Sequence, residues 1–549
     1  MHLAPIDYGI IAVYFLFVLG IGFVLKNFMK TSSDFLMAGR RIPAWVTGLA
    51  FMGANLGALE IIGMTASSAQ YGAKTINFYW TGAIPAMLFV ALFMMPFYYS
   101  SRIRSVPEYL RIRFNEPTRA FNSFSFALFM ILTAGISMFL MGKIFNSMFG
   151  WNIWLSILLA ALITLVYTFL GGLSSSIYNE VLQFFLIVIG LLPLAILPLL
   201  EAGGWGNLAR KATEAATAAA PAGMQASFAT FAHVNAGLSS PSLNPLGVEW
   251  IGMMIGLGVA LSFGYWCTDF TVIQRAFAAK DLTAAQQTPL IAAIPKMLFP
   301  ILITVPGFAA IALPGLAPQL QGHYNDAFAL MLQHYYPAGL MGLGVTALLA
   351  SFMSGMAGQI TAFNTIWTYD IYQTYFKKDA PDEHYLRVGK IATVFAVVGA
   401  VFAAFIASQF MNIMDYIQLL CTFFHVPLFC ILLLGMFWKK TTPVAAFTSI
   451  VVGTLSAVGY YVLYRMGVVH YPTEMAYNFN AAVLEMIVTL LVAAVVTFFT
   501  KPRKEEELVG LVYSLTPKPD HSALPWYARP ATLGWGILIA FVALNLIFW

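Results

Sequence analysis

Two long apolar stretches of this chain are each interrupted by a patch of small and polar residues. The patches are 53–60 (GANLGALE) and 262–269 (SFGYWCTD). A continuous membrane helix needs neither glycines nor carboxylates. Backbone that leaves the helix at membrane depth is stable only where protein or a watery cavity satisfies its N–H and C=O groups. The two patches therefore predict two broken helices that together hold a solute, as in a transporter.

Lys296 is the clearest ionisable residue at membrane depth. It follows Pro295 in a segment that is otherwise apolar from Leu290 to Ile311. A charge in this position is costly, so a functional role is expected. Its ammonium group offers three donors to solute hydroxyls. A structural pair with a buried carboxylate, either Glu60 or Asp269, is the alternative.

Composition places the chain in a membrane. Of its 549 residues 60% are hydrophobic and 9% are charged, and the mean hydropathy is +0.79. Soluble globular proteins carry about 25% charged residues. The net charge of +5 is attributed to basic loops and does not imply a nucleic-acid partner. No His, Cys and Asp spacing resembles a metal site or a catalytic centre, so an enzyme is not expected, and neither is an organic cofactor.

Hydropathy over a window of about 20 residues predicts an all-α integral membrane protein with about fourteen spans. One arrangement of the loops puts 22 of the 28 lysines and arginines on one face. The positive-inside rule then places both termini outside the cytoplasm of a cell-membrane protein. Residues 201–247 become an external loop and 500–530 a cytoplasmic one. The predicted spans lie near 8–28, 46–70, 79–99, 122–146, 152–171, 179–200, 248–272, 288–313, 339–369, 388–409, 412–437, 444–465, 479–499 and 531–549.

The two broken spans are the second and the seventh, and each begins a group of five spans. This spacing fits two five-helix repeats of inverted topology, 46–200 and 248–437, within a single transmembrane domain, 1–549. The solute is expected at the interface between the repeats.

Several motifs resemble the sodium/solute symporter family, and within it the sodium/glucose cotransporters. They occur in order over almost the whole chain. The resemblance implies a leucine-transporter-type fold, Na+ as the coupling ion, and a small-molecule solute. The motifs are FYW at 78–80, VPEYLRIRF at 106–114, GGLS at 171–174, YWCTD at 265–269, QR at 274–275, YDIY at 369–372 and FWKK at 437–440.

The resemblance also implies an ion site. Its oxygens would come from the backbone of Gly53 and Leu56 and from the side chains of Ser351 and Ser354. The family has a further hydroxyl at position 355, where this chain has Gly355, so a water or Ser351 would have to substitute. The alternative is that these residues of the ninth span are small only to allow close helix packing.

Glu180 lies where the family usually has an aspartate. The resemblance implies that it attracts the departing sodium ion. An ordinary charge at the cytoplasmic edge is the alternative.

The solute site implied by the resemblance joins several distant segments. Lys296, Gln418 and Asn55 match sugar-contacting positions, and Tyr265 matches an aromatic inner gate. Two departures from the sugar pattern are Glu60, where the family has Gln or His, and Tyr79, where it has Glu. Ser262 replaces an Asn. The predicted solute-binding residues are Asn55, Glu60, Tyr79, Ser262, Tyr265, Lys296 and Gln418.

These residues suit a sugar or polyol imported with Na+ by alternating access. An amino acid, a nucleoside or an organic ion is the alternative solute, with Glu60 or Lys296 as its counter-ion, and proton coupling through Glu60 is the alternative to sodium. A channel or a polytopic membrane enzyme is less consistent with the paired broken helices. The lipid bilayer is the other expected partner, and no obligate protein partner is inferred.

Overall fold

The computed structural model describes residues 3–26, 38–101, 103, 105–220, 223–410, 412–517 and 519–548. Within these ranges the secondary structure is helical apart from an isolated bridge between Ile42 and Ala279. Among the basic residues behind the predicted orientation, Lys30, Arg102, Arg104 and Lys518 lie outside the described residues. The main helices are α1 Pro5–Lys26, α2 Ala44–Asn55, α3 Leu59–Phe78, α4 Ile84–Tyr99, α5 Val106–Arg113, α6 Glu116–Phe149, α7 Ile153–Ala202, α8 Trp205–Ala219, α9 Ile251–Thr268, α10 Phe270–Phe277, α11 Leu282–Ala312, α12 Ala327–Tyr335, α13 Leu340–Phe376, α14 Asp382–Ala407, α15 Ile413–Phe437, α16 Pro443–Arg465, α17 Glu474–Phe499 and α18 Pro530–Ile547.

In the described part of the chain, eleven helices are long and apolar enough to cross a membrane, or up to twelve if the bent pair α2 and α3 forms one span. Two further predicted spans correspond to shorter apolar helices, Ile84–Tyr99 and Ile153–Val166. The all-α membrane class is therefore confirmed.

The segment α7 is assigned as helix over 50 residues, where the sequence predicts two spans. A straight helix of this length would extend about 75 Å, more than a bilayer is thick. Both of its ends nevertheless lie near α12. Ser147, just before α7, donates to Asp326, just before α12, and Tyr335, at the end of α12, donates to Glu201 at the end of α7. The chain must therefore reverse within α7, as two antiparallel spans require.

The first predicted break is present. Helix α2 ends at Asn55, Leu56 leaves the helical conformation, and α3 begins at Leu59 with its axis turned by 55°. Gly57 allows the close approach of α13 at this point. A Cβ added to Gly57 would lie 3.2 Å from the Cα of Gly355.

The second break is narrower than predicted. Residues 262–268 remain helical, and only Asp269 is extended, with φ −68° and ψ 110°. Its carboxylate accepts a hydrogen bond from the backbone N–H of Thr271 at 2.7 Å and so caps α10. One capping residue is enough to end α9 and begin α10.

Helix α11 carries Lys296 and remains helical through four prolines. Proline removes the hydrogen bond to the carbonyl four residues earlier and disturbs the turn before it. Side chains of neighbouring elements donate to two carbonyls in these turns: Trp80 Nε1 donates to Met297 O at 3.0 Å, and Thr65 Oγ1 donates to Ile303 O at 3.0 Å. These bonds hold α11 against the first broken helix.

Both long loops pack onto the helices. The loop 201–247 includes α8, and the buried Lys74 donates to the carbonyls of Thr230 and His233 at 3.1 and 2.9 Å. The loop 500–530 lies against α5, where Tyr109 donates to Leu511 O at 2.8 Å.

Candidate functional site

A cavity of about 110 Å³ lies between the two broken helices. This volume is well above the roughly 10–15 Å³ that one water molecule needs. Six of the seven predicted solute-binding residues line it. They are Asn55, Glu60, Ser262, Tyr265, Lys296 and Gln418, and the apolar part of the wall includes Met64, Phe78, Leu257, Trp266, Met414 and Cys421.

Lys296 joins three of the elements around this cavity. Its Nζ donates to Asn55 Oδ1 and to Glu60 Oε1, each at 2.6 Å. The Lys296 side chain is 3% exposed and that of Glu60 is 16% exposed. The structural ion pair that the sequence analysis gave as an alternative role for Lys296 is therefore present. Its partner is Glu60 and not Asp269. It forms part of the cavity wall.

Tyr79 does not line the cavity. Its ring lies behind Lys296, with 4.4 Å between Nζ and the ring centroid, and the indole of Trp266 is 5.4 Å from the same Nζ. Both aromatic faces stabilise the ammonium group through cation–π contacts. Tyr79 therefore supports Lys296 and has no open path to a solute in this conformation.

Asn55 bridges α2 to both α9 and α11. Its amide oxygen accepts from Lys296, and its amide nitrogen donates to the Tyr265 hydroxyl at 3.0 Å. The Tyr265 ring packs edge-on against Trp266. A hydrogen bond therefore fastens the predicted gate residue to the first broken helix, while its ring packs on Trp266 of its own helix.

The four predicted ion-site residues also come together. Ser351 Oγ donates to Leu56 O at 2.7 Å, and Ser354 Oγ donates to Gly53 O at 2.8 Å. The two carbonyls belong to the end of α2, where the helix stops at the break, and the Gly53 carbonyl also accepts from the Leu56 N–H at 3.0 Å. Hard cations prefer such sets of carbonyl and hydroxyl oxygens. The donor set fits a sodium ion.

Gly355 has a packing role that the sequence offered only as an alternative. A Cβ at this position would lie 2.9 Å from the Cα of Gly57. A Cβ at Gly358 would likewise lie 2.7 Å from Thr271 Cγ2. The hydroxyl expected at position 355 is absent because the backbone of the break occupies that space, whereas Ser354 contacts the ion-site carbonyl.

Glu180 is not a free charge. It forms an ion pair with Arg275, and both side chains are 0% exposed. Arg275 Nε donates to Glu180 Oε2 at 3.0 Å, and the Ser176 hydroxyl donates to Oε1 at 2.6 Å. The backbone of Glu180 does lie beside the candidate ion site. A Cβ added to Gly53 would be 2.8 Å from the backbone carbonyl oxygen of Glu180.

Sequence reasoning did not predict two contacts that brace the second broken helix. Arg275, in the motif after the break, pairs with Glu180. His425 of α15 shares a hydrogen bond of 2.6 Å between its Nδ1 and Thr268 Oγ1. The sequence does show Arg275 in the QR motif and His425 within a predicted span. It does not show which residue either of them contacts.

The profile of the Sodium:solute symporter family matches residues 35–453. A sodium/glucose cotransporter of Vibrio parahaemolyticus is 27% identical over 519 residues, which cover 91% of this chain and 90% of that protein. The sodium/myo-inositol cotransporter 2 of Sus scrofa is 27% identical, covering 82% of this chain and 69% of that protein.

Among solved structures, the substrate-bound outward-open state of a Na+-coupled sialic acid symporter matches with a TM-score of 0.74 at 20% identity, over 91% of this chain and 99% of that chain. The fold is therefore shared with that symporter. With the helices described above, these matches identify a multi-pass membrane transporter and not an enzyme. The chain belongs to the sodium:solute symporter family.

Proposed function

We propose that this protein is a sodium-coupled secondary active symporter that imports a small polar solute by alternating access. One observation carries the proposal: the first break contributes to both candidate sites. Gly53 and Leu56 present their carbonyls to Ser354 and Ser351, while the intervening Asn55 lines the cavity. An ion held by these carbonyls would fix the segment that binds the solute.

The ion step follows from the present hydrogen bonds. Without an ion the two serine hydroxyls donate to the carbonyls of the break. Na+ would accept lone pairs from the same four oxygens, so the hydroxyl protons would turn away from the carbonyls. Such binding joins the end of α2 to α13 more strongly, and it favours whichever conformation keeps these oxygens together.

The solute step requires the Glu60–Lys296 pair to open. A polyol can replace both halves of this pair, because its hydroxyls accept from the ammonium and donate to the carboxylate. Gln418 and Ser262 add an amide and a hydroxyl on the facing wall. These groups support a sugar or polyol as the solute.

An amino acid is the second candidate, because opposite charges lie 2.6 Å apart in the cavity wall. If they separate, Lys296 can bind a carboxylate and Glu60 an ammonium group. A nucleoside or an organic ion would bind to Lys296 alone or to Glu60 alone. Proton coupling would replace sodium coupling if Glu60 took up the proton.

The site lies where the two proposed inverted repeats, 46–200 and 248–437, would meet. Rocking of one repeat against the other would expose the cavity alternately, with Tyr265 as the inner gate and both termini outside the cell. Cysteines placed at Ser242 in the 201–247 loop and at Glu506 in the 500–530 loop test this orientation. Only the first is expected to react with an impermeant external reagent in intact cells, and the reverse result would contradict the topology.

The coupling is tested with purified protein in two stages. Thermal shifts are first measured with sugars, polyols, amino acids and nucleosides, each with and without Na+. Uptake of the stabilising solute is then measured in proteoliposomes under a sodium gradient or a proton gradient. We expect a sugar or polyol to stabilise the protein more when Na+ is present and to accumulate only under the sodium gradient. Accumulation under the proton gradient alone would refute sodium coupling.

A further inference from the structure

Helix α17 contains a carboxylic acid that the proposed transport mechanism does not use. Glu485 lies eleven residues after Glu474, about 16 Å along the helix and close to the middle of this apolar, membrane-length helix. Its side chain is 1% exposed. Neither Oε1 nor Oε2 has a hydrogen-bond partner among the residues that the structure describes.

The surroundings of Glu485 are tightly packed. One turn further along α17, Thr489 meets Gly453 of α16, where an added Cβ would collide with the Thr489 hydroxyl. The same Cβ would lie 3.1 Å from the Cβ of Pro427 on α15. Three helices therefore approach one another closely beside Glu485, and no side chain of α16 can enter at Gly453.

Two buried ion pairs elsewhere in the protein provide a contrast. Glu60 pairs with Lys296 and Glu180 with Arg275. An ionised carboxylate without such a partner is far more costly in an apolar site than a neutral acid, so the group takes up a proton.

No basic side chain is paired with Glu485 in the part of the chain that the structure describes. The segment Ile251–Leu261, which also packs on α17, carries no titratable group. The titratable groups on α15, α16 and α17 are Asp415, Tyr416, Cys421, His425, Cys430, Tyr460, Tyr461, Tyr464, Arg465, Glu474 and Tyr477. Of the two that can be cations, Arg465 is 4.0 Å from Glu474, and His425 bonds Thr268.

Further unsatisfied polar groups continue along α17. The hydroxyls of Tyr477, Thr489 and Thr497 are buried and have no hydrogen-bond partner among the described residues. Residues 477, 485, 489 and 497 are separated by eight, four and eight positions. Because each separation is a multiple of four, all four side chains lie on one ridge along the helix surface. This ridge places hydroxyl groups on both sides of the acid, in the direction of each membrane surface.

We propose that Glu485 is a proton-binding site inside the membrane, separate from the candidate solute and ion sites, and that its carboxyl group is protonated in this conformation. The buried and unpaired carboxyl group carries the proposal.

The test is infrared spectroscopy of the full-length protein in lipid bilayers at neutral and alkaline pH. The wild-type spectrum is compared with that of Glu485→Gln, which has the shape of the protonated acid but cannot ionise. We expect the difference at neutral pH to contain the C=O stretch of a protonated carboxylic acid, replaced by carboxylate stretches at alkaline pH. Carboxylate stretches already present at neutral pH would overturn the proposal.

Glu474→Gln is the matched control. Glu474 lies on the same helix, but its side chain is 45% exposed and near Arg465. Its removal should delete a carboxylate band at neutral pH. If Glu485→Gln does not insert, Glu485→Met, with an uncharged side chain of similar length, takes its place. Failure of both variants to fold would also overturn the proposal, because a site that holds a neutral acid should accept a neutral substitute.

Thermal unfolding is a second readout. A carboxyl group that is protonated in the folded protein and ionised in the unfolded chain stabilises the fold less as pH rises. The wild-type Tm should therefore fall relative to that of Glu485→Gln between neutral and alkaline pH. A constant difference between the two Tm values would contradict the proposal.

Discussion

Two of the buried ion pairs, Glu180 with Arg275 and Glu60 with Lys296, are built differently. Arg275 and Glu180 are both 0% exposed, their contact is bidentate, and Ser176 satisfies the carboxylate further. Lys296 contacts a single oxygen of Glu60, which is 16% exposed and borders a cavity. A pair that is fully enclosed holds helices together, whereas a pair at a cavity can exchange its partner for a solute. Burial and contact geometry thus separate the enclosed pair from the pair that we propose to bind the solute.

Breaking the enclosed pair should have the largest effect. Glu180→Gln leaves Arg275 buried without its counter-charge, and removal of one partner of a buried pair costs about 3–5 kcal/mol. We expect a large loss of folded protein by thermal unfolding and by size-exclusion chromatography in detergent. The double variant Glu180→Gln, Arg275→Met is the control and should recover most of the stability. If Glu180→Gln keeps the wild-type Tm and only slows sodium release, Glu180 is the exit residue that the family resemblance implied.

Breaking the cavity pair should affect binding more than folding. Lys296→Gln removes hydrogen bonds to a charged group, each contributing about 1.5–3 kcal/mol, so solute affinity should fall roughly tenfold or more. Glu60→Gln and Gln418→Ala should act in the same direction. The Na+ affinity measured without solute should change far less, because other atoms form the ion site. The measurement is solute binding at saturating Na+. Should Lys296→Gln instead prevent folding, this pair is structural as well.

Substitutions at the ion site should reverse this pattern. Ser354→Ala removes the hydroxyl bonded to Gly53 and should raise the Na+ concentration for half-maximal uptake, with little effect on solute affinity at saturating Na+. Gly355→Ser supplies the hydroxyl typical of the family, and that hydroxyl by itself would preserve or improve sodium binding. The 2.9 Å contact with Gly57 predicts the opposite, a loss of stability and uptake. Gly355→Ala separates the effect of the clash from that of the hydroxyl, because it adds a Cβ without a hydroxyl. Improved sodium binding in Gly355→Ser would contradict the packing role of Gly355.

The smallest effect is expected at the gate. Tyr265→Phe keeps the ring but loses the bond from Asn55, which should cost about 0.5–1.5 kcal/mol and raise the solute leak by a few fold. Tyr265→Ala removes the ring as well and should release solute faster. Efflux from preloaded proteoliposomes measures both. An unchanged efflux in Tyr265→Phe would mean that ring packing alone closes the gate.

Much of the architecture was predictable because hydropathy is a property of consecutive residues and can be calculated directly from the sequence. The apolar stretches predicted the helices, and the glycines and carboxylate at 53–60 predicted the first break. The second break was predicted too broadly, since serine, glycine and threonine at 262–268 permit a helix and only Asp269 ends it. Residues that act through contacts between distant segments were the least predictable.

The sequence by itself determined the membrane class, the helical fold and the residue types available for binding, because burial of apolar side chains and the backbone's need for hydrogen bonds are local properties. Only the tertiary structure decided which charges meet. Lys296 pairs with Glu60 and not with Asp269, Glu180 pairs with Arg275, and Glu485 has no partner among the residues that the structure describes. Electrostatic interactions depend on distance and burial, and neither quantity is set by the position of a residue along the chain.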